Sequence, residues 1–337
     1  MGQSPKSDFY NSKGDGLPFL QGNRTFGDKY PTFDTWTTFV TKEAEVGDVI
    51  MSVRAPVGDI NITPLKMCLG RGVCGLRHKQ GAQEFLYYLL RANKENLINR
   101  ENGTVFGSIN KTDISNLEVQ VPSLREQIQI GLTLKAIDDK IENNKKINHH
   151  LEQMAISIFK EEFSKKEVTN KLGDFFPVIT GKKDANIAKG GEYPFFSCSQ
   201  NISYTDNYSF DARAILLAGN GDFNVKIFNG KFEAYQRTYV LIPNNDEHFG
   251  YLYYAIKYFL NDITSGHRGS VIKFITKGQI EHFNIFMTSN KEKLFLFNSF
   301  VENIANNNKE IDKLSNIRDT LLPKLLSDEI SVNQATK

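Results

Sequence analysis

The chain has 337 residues, 40% hydrophobic and 24% charged, with a formal net charge of +2 and a pI near 8.2. That length is comfortable for two cores, and the composition excludes both a disordered polyelectrolyte and a nonspecific polycation, so any nucleic-acid binding must rest on locally placed charge. Three cysteines (Cys68, Cys74, Cys198) without a C-x-x-C pair argue against a disulfide framework or a zinc site. No stretch reaches the ~18 apolar residues of a membrane span. Met1-Gly-Gln-Ser-Pro-Lys6 lacks the apolar centre of a secretory signal. A cytoplasmic protein with no membrane partner is expected.

The predicted elements run as follows. Asp48-Val-Ile-Met-Ser-Val53, a brief apolar run beside Gly and Pro, reads as a strand. Residues 82–91 place Phe85, Leu86 and Leu89 at helical spacing. Gly103-Thr-Val-Phe-Gly-Ser-Ile-Asn-Lys111, followed by Ile114, Leu117 and Val119, predicts an apolar strand. Ser123-Leu-Arg-Glu126 is a capping box, in which the serine hydroxyl accepts from a first-turn N–H and the glutamate reaches back. Ile130, Leu134, Ile137, Ile141, Asn144, Asn148, Leu151, Ala155 and Ile158 then form a stripe in near-heptad steps. Further on, residues 171–179 read as a strand, as do Arg213-Ala-Ile-Leu-Leu-Ala218 and residues 236–242. Val225-Lys-Ile-Phe228 before Asn229-Gly230 reads as one arm of a tight hairpin. Residues 248–260 are helical, and Ser289-Asn-Lys-Glu292 is a second capping box. A second stripe follows through Phe297, Val301, Ile304, Asn308, Ile311, Leu314, Ile317, Leu321 and Leu325. Each stripe predicts a helix of about 40 residues, about 60 Å long. Two such helices in one chain most simply bury their stripes on each other as a coiled coil. Asn144 and Asn308 either face solvent or sit in that seam and set its register at a cost in stability.

These elements are one set repeated. Gly103 and Gly269, Lys111 and Lys277, Ile114 and Ile280, and Leu86-Tyr87-Tyr88 and Leu252-Tyr253-Tyr254 are each 166 residues apart. Gly70-Arg71-Gly-Val73 matches Gln236-Arg237-Thr-Tyr239 at the same shift. Elsewhere the shift drifts: Gly58-Asp59 pairs with Gly221-Asp222, Pro18-Phe19 with Pro194-Phe195, and Met1-Gly2 with Thr180-Gly181. On that last pairing the first half has no counterpart to the 171–179 strand. The expected architecture is α+β, with two tandem mixed domains (1–122 and 167–288), each followed by a long helix (123–166 and 289–330) and then a tail (331–337). The two helices pair antiparallel.

Domain, long helix, domain, long helix, each domain closing on a G-S/T-V segment and a capped Ser-x-x-Glu helix, resembles the specificity subunit of a type I restriction–modification system. Leu124-Arg-Glu-Gln127 after Pro122, Leu172-Gly173-Asp174-Phe175 and Tyr193-Pro194-Phe195-Phe196 carry the same resemblance. It implies that each domain reads one half of a bipartite, asymmetric site on double-stranded DNA. It also implies two modification (methyltransferase) subunits that use S-adenosylmethionine, and restriction (endonuclease/translocase) subunits that use ATP and magnesium. This chain would hold no cofactor and catalyse nothing.

The residues themselves show no G-x-x-x-x-G-K-S/T phosphate loop and no Asn-Pro-Pro methyltransferase motif. Asp138-Asp139 is expected on a solvated helix face. Arg71 and Arg237, at matching places, are either structural or DNA contacts, since arginine both reads guanine and grips phosphate. Gln236 can read adenine. Lys111, Lys277, Asn110 and Lys273 lie in the repeated Gly-to-Lys segments and are candidate phosphate contacts or ordinary surface residues. Arg54, Asn220, Asn224 and Arg268 stand for the variable loops, with Arg24, Lys29, Lys182, Lys183, Gln200, Asn201 and His267. Ile137, Ile141, Asn144, Leu151, Ile304, Asn308, Ile311, Leu314 and Leu321 are the expected helix-pairing and partner interface. A second class of function, a coiled-coil scaffold whose globular domains bind protein or glycan, fits the same outline.

Overall fold

The computed structural model describes residues 1–100, 107–266, 273–327 and 329–335. The first residues of both repeated Gly-to-Lys segments, with His267 and Arg268, lie outside them. The chain divides into two compact units, residues 1–143 with 310–337, and residues 144–309.

In the first unit, eight short strands appear in order: β1 (Tyr10–Asn11), β2 (Leu17–Leu20), β3 (Trp36–Thr37), β4 (Glu43–Ala44), β5 (Val49–Ser52), β6 (Ile60–Ile62), β7 (Met67–Leu69) and β8 (Val73–Leu76). They form sheets of order β1-β3-β2-β7-β4 and β6-β5-β8. Helices α1 (Gln83–Ala92), α2 (Lys94–Ile98) and α3 (Lys111–Ser115) follow, then the long α4 (Leu124–Glu162). Strand alternation explains why β5 is buried on both faces. Val49 and Met51 point into a core with Phe85, Tyr88, Ile130, Leu134, Leu322 and Leu325, while Ile50 points into a second core with Leu20, Met67 and Val73.

The second unit holds β9 (Asn170–Lys171), β10 (Val178–Thr180), β11 (Tyr193–Phe196), β12 (Ser203–Thr205), β13 (Phe210–Ala218), β14 (Val225–Ala234), β15 (Thr238–Leu241) and β16 (Asn284–Ile285). Their sheets are β10-β15-β13-β14-β11-β12 and β16-β9. Its helices are α5 (Phe249–Tyr258), α6 (Leu260–Ser265), α7 (Lys277–Glu281) and the first part of α8 (Lys291–Leu326). A short α9 (Val332–Ala335) ends the chain. Ile215 and Leu217 face the α5 core, and Ala214 and Leu216 face Phe196, Phe210 and Phe232.

Within each unit, part of α4 runs antiparallel to part of α8. In the first unit Asp138 pairs with Arg318 (2.8 Å) and Lys140 with Glu310 (3.5 Å). In the second, Asn148 exchanges amide hydrogen bonds with Asn308 (2.8 Å) and Asn307 (2.7 Å), and Glu162 pairs with Lys293. Asn144 is 1% exposed and Ile141 is buried, while Ile137, Leu151, Ile304, Ile311, Leu314 and Leu321 are half-buried. The heptad reading therefore holds, and the asparagines lie at the contact, although Asn308 keeps an exposed edge. Ile317 is exposed instead, and Arg318 takes the inward place.

Several expectations are corrected. Asp138 is not solvated: it is buried, accepting from Tyr88 Oη (2.5 Å) as well as from Arg318, because the heptad step from Leu134 turns it inward. Asn229-Gly230 makes no hairpin. β14 runs through it, with Arg213 opposite Asn229 and Ala212 opposite Gly230, whose φ of 131° only glycine adopts easily. The predicted strand at 171–179 is two short strands separated by a 3₁₀ turn at Leu172–Asp174. The box at Ser123 forms, with Ser123 N–H donating to Glu126 at 3.1 Å. At the second helix the cap moves on by one residue: Asn290 Oδ1 accepts from Glu292 N (2.9 Å) and Lys293 N (3.2 Å), since asparagine caps at least as well as serine. Each Gly-to-Lys segment makes a β-bridge and leads into a short helix, α3 or α7; the apolar strand expected before the long helix is found in the second half as β16 and not among the described elements of the first.

Strand register also moves one equivalence. β5 matches β13 at a shift of 166, since Val49 pairs with Leu76 and Ser52 with Val73 where Ile215 pairs with Leu241 and Ala218 with Thr238. The same pairs put β8 and β15 at a shift of 165. Arg71 is therefore equivalent to Gln236, and Gly72 to Arg237. The ladder also puts Asp59 opposite Asn224 in equivalence, not Asp222, because Ser52 N–H donates to Asp59 O and Ala218 N–H to Asn224 O. The loop after Arg54 is one residue longer than the loop after Asn220, and the missing residue is regained before α5. Backbone hydrogen bonds define the position, and loops absorb the difference.

Candidate nucleic-acid interface

In each unit three backbone segments meet where the central strand ends. In the first, Val53 N–H donates to Gly72 O (2.9 Å), Ile109 N–H to Val53 O (3.1 Å) and Ala55 N–H to Gly107 O (3.1 Å), with Arg54 bridged to Ser108. In the second, Gly219 N–H donates to Arg237 O (2.8 Å), Ile275 N–H to Gly219 O (3.0 Å) and Gly221 N–H to Lys273 O (2.9 Å), with Asn220 bridged to Phe274. These junctions gather Arg54, Arg71, Asn110 and Lys111 in one unit, and Asn220, Gln236, Arg237, Lys273 and Lys277 in the other.

At each junction a β-turn presents its second residue outward. Val73 N–H closes on Gly70 O (3.0 Å) and Thr238 N–H on Tyr235 O (2.7 Å). The second turn residue is Arg71 in one and Gln236 in the other, both exposed. Their own N–H groups are held alike, Arg71 by Ser4 Oγ (3.1 Å) and Gln236 by Lys183 O (2.9 Å). Gly2 and Gly181 lie against the same turns, where an added Cβ would overlap the Gly70 or Tyr235 carbonyl, which bears out the Met1-Gly2 pairing.

Arg71 lines an open groove of about 900 Å³ with Ser4, Lys6, Gln21, Asn23 and Arg24. Arg24 is held by Asp34 (2.7 Å). Among the described residues the Arg54, Arg71, Lys111, Arg237 and Lys273 side chains make no ion pair. They are exposed. Lys277 pairs with Glu281 (3.3 Å), a contact one helical turn away.

Other candidates are engaged elsewhere. Asn110 caps α3, accepting from Thr112 N (2.7 Å) and Asp113 N (3.1 Å) while Asp113 accepts from its N–H (2.8 Å). Thr276 and Gln279 form the equivalent box on α7. N-x-x-D and T-x-x-Q at one spacing in both halves are capping signals, and the candidate contact Asn110 is the cap of the first. Asn224 is buried, its amide donating to Cys198 O and Asp222 O (2.8 Å each), and Lys226 bonds its Oδ1. Burial holds the Lys226 ammonium below the usual lysine range. Lys29 is 4% exposed and ion-paired with Glu84 (3.5 Å) and Asp138 (3.9 Å), so it cannot reach a ligand.

One positioning residue escaped sequence reasoning. Tyr239 Oη donates to Ile275 O (2.9 Å), tying β15 to the returning segment, and burial raises that phenol above the usual range. In the first unit the equivalent place holds Cys74, whose thiol burial pushes up to about 11. Among the described residues no cluster of three or more His, Cys, Asp or Glu side chains is placed to hold a metal, and no helix is long and apolar enough to cross a membrane.

Two α+β units of one scaffold, each with an exposed polar turn at the same junction, define a tandem-repeat protein. The type I restriction modification DNA specificity domain family matches residues 3–153 and 165–316, and the chain belongs to that family. It is 39% identical over 184 residues to the MjaX specificity subunit assigned to a type I restriction enzyme of Methanocaldococcus jannaschii, covering 54% of this chain and 40% of that one. It is 41% identical over 129 residues to the type I restriction enzyme EcoDI specificity subunit of Escherichia coli (38% and 29% covered), and 26% identical over 341 residues to the MjaIX specificity subunit of M. jannaschii (86% and 78%). The match thus spans less than half the length of the first two relatives. The fold resembles the crystal structure of a type I restriction–modification S subunit from M. genitalium, with a TM-score of 0.66 at 18% identity over 96% of this chain and 92% of that one.

Proposed function

We propose that the chain is the DNA-recognition subunit of a type I restriction–modification assembly, each unit reading one part of a bipartite, asymmetric duplex target. The observation that carries this is the junction built twice on one backbone plan but furnished with different exposed side chains. Equal scaffolds with unequal readers suit unequal half-sites, with Lys111, Lys273 and Lys277 positioning phosphate and the turn residues facing base edges. The relatives' names, all specificity subunits, support the same reading. Two modification subunits would carry S-adenosylmethionine and methylate the DNA. Restriction subunits would carry ATP and magnesium, and the whole would act in the cytoplasm. This chain would contribute placement and no catalytic group.

The test is a gel shift with bipartite and scrambled duplexes, with and without the modification subunits. Sequence-selective binding by the full assembly is expected, and equal affinity for both duplexes would sink the proposal.

A further inference from the structure

Strand register makes Arg71 and Gln236 the same position of the scaffold. Both are the second residue of a four-residue turn closed by the same backbone hydrogen bond, and both turns lead into the strands, β8 and β15, that stand at a shift of 165. Each N–H is anchored by the segment just after the paired glycines Gly2 and Gly181, at Ser4 in one and Lys183 in the other, so the turns cannot swing freely. The Arg71 guanidinium borders the polar groove and, among the described residues, makes no hydrogen bond or ion pair. Gln236 makes one long contact, from Nε2 to Asp184 at 3.4 Å, which a better partner can displace.

A residue that grips phosphate meets the same group whatever the sequence, so nothing requires its chemistry to differ between two copies of one scaffold. A residue that reads a base must differ when the half-sites differ. At this position the chemistry changes from a guanidinium to a carboxamide. These are the side chains that pair bidentately with guanine O6 and N7 and with adenine N6 and N7, respectively. We infer that Arg71 and Gln236 are the paired base-reading positions of the two units, Arg71 taking a guanine edge in the major groove and Gln236 an adenine edge. This rests on the DNA-recognition reading above. It goes further by naming the position and the base at each half-site.

The experiment uses the full chain assembled with its modification subunits and a duplex library randomised across the bound region, with the enriched half-sites read by sequencing. Arg71→Gln is expected to move one position of the first half-site from guanine to adenine and to weaken binding to the original duplex by ~10-fold or more, leaving the second half-site unchanged. Gln236→Arg is expected to do the reverse in the second half-site. Arg71→Lys, which can still donate to guanine, should keep the guanine preference. Matching thermal melts for wild type and variants confirm that the turns still fold. Unchanged half-sites overturn the inference, as does a uniform loss of affinity for every duplex with a shallower salt dependence, the mark of a phosphate contact. If the wild-type assembly itself enriches no sequence, the DNA-recognition reading falls and this inference falls with it.

Discussion

The two units solve a similar packing problem with similar groups placed at non-equivalent positions of the repeat. In the first, a buried carboxylate on α4, Asp138, accepts from Tyr88 of α1 and pairs with Arg318 of α8. In the second, the equivalents of Asp138 and Arg318 are Ile304 and Glu152. Both carboxylates lie on α4, but at positions that the repeat does not make equivalent, and Glu152 takes Tyr253 Oη (3.2 Å) and the Lys257 ammonium. Burial, followed by the neighbouring carboxylate, raises the Tyr88 and Tyr253 phenols far above the usual range, so both remain donors. The closest helix crossing is likewise built at non-equivalent positions. Gly131 of α4 lies against the Phe85 backbone N of α1, where an added Cβ would come to 2.7 Å. In the second unit the glycine is on the short helix instead: Gly250 of α5 lies against the backbone of Phe297 and Asn298 of α8. A crossing needs one small residue, and it does not matter which helix supplies it. The acceptor is not repeated at the same tyrosine: Tyr254, 166 residues from Tyr88, is buried and its Oη has no hydrogen-bond partner among the described residues.

That comparison can be broken most sharply at the carboxylates. Asp138→Ala removes the buried acid that Arg318 and Lys29 share and leaves Arg318 only the exposed Asp319 and Lys29 only Glu84, and should destabilise the first unit by about 3 kcal/mol. Glu152→Ala, at a site where both partners remain about 30% exposed, should cost only about 1 kcal/mol. Urea denaturation of the two variants measures the gap, and equal losses would mean that the two networks are interchangeable after all. A smaller effect tests the exchanged glycines. Gly250→Ala should cost about 1–3 kcal/mol, because the clash is with backbone and no side chain can move aside. If its melting temperature matches wild type, the crossing is looser than the geometry states. The smallest effect concerns helix starts. Asn290→Ala should lower stability by about 1 kcal/mol and Ser289→Ala by almost nothing, whereas Ser123→Ala should behave like Asn290→Ala. A reversal between Ser289 and Asn290 in thermal melts would restore the cap to the serine.

Much of this fold was legible because it depends on local or periodic signals. The heptad stripes predicted two long helices, and 39 and 36 residues are found. Serine and glutamate three apart predicted the α4 start. The Arg71–Arg237 equivalence misled because two identical letters at a constant shift outweigh a one-residue drift in strand register, which only hydrogen bonds reveal. Asn229-Gly230 misled because a turn signal is also compatible with a long strand when a nine-residue partner, β13, pairs straight across it. In the first unit the equivalent stretch, beginning at Thr63-Pro64, does break the strand into β6 and β7, since proline cannot donate to a ladder.

The candidate interface was drawn from arginine, lysine and glutamine near the repeated segments, and sequence could not separate Asn110 the cap, Asn224 the buried brace and Lys29 the paired core cation from the exposed candidates. Their roles depend on burial and on which donors and acceptors come within about 3 Å, both consequences of long-range packing.

By itself the sequence determined the duplication, the α+β class, the alternation of domain and long helix, and the family, because periodicity and recurrence survive without coordinates. Only the tertiary structure decided which position of the repeat carries each buried acid and glycine, which polar side chains remain available, and that Arg71 shares its place with Gln236. Those are matters of register and enclosure, set by contacts between residues far apart in the chain.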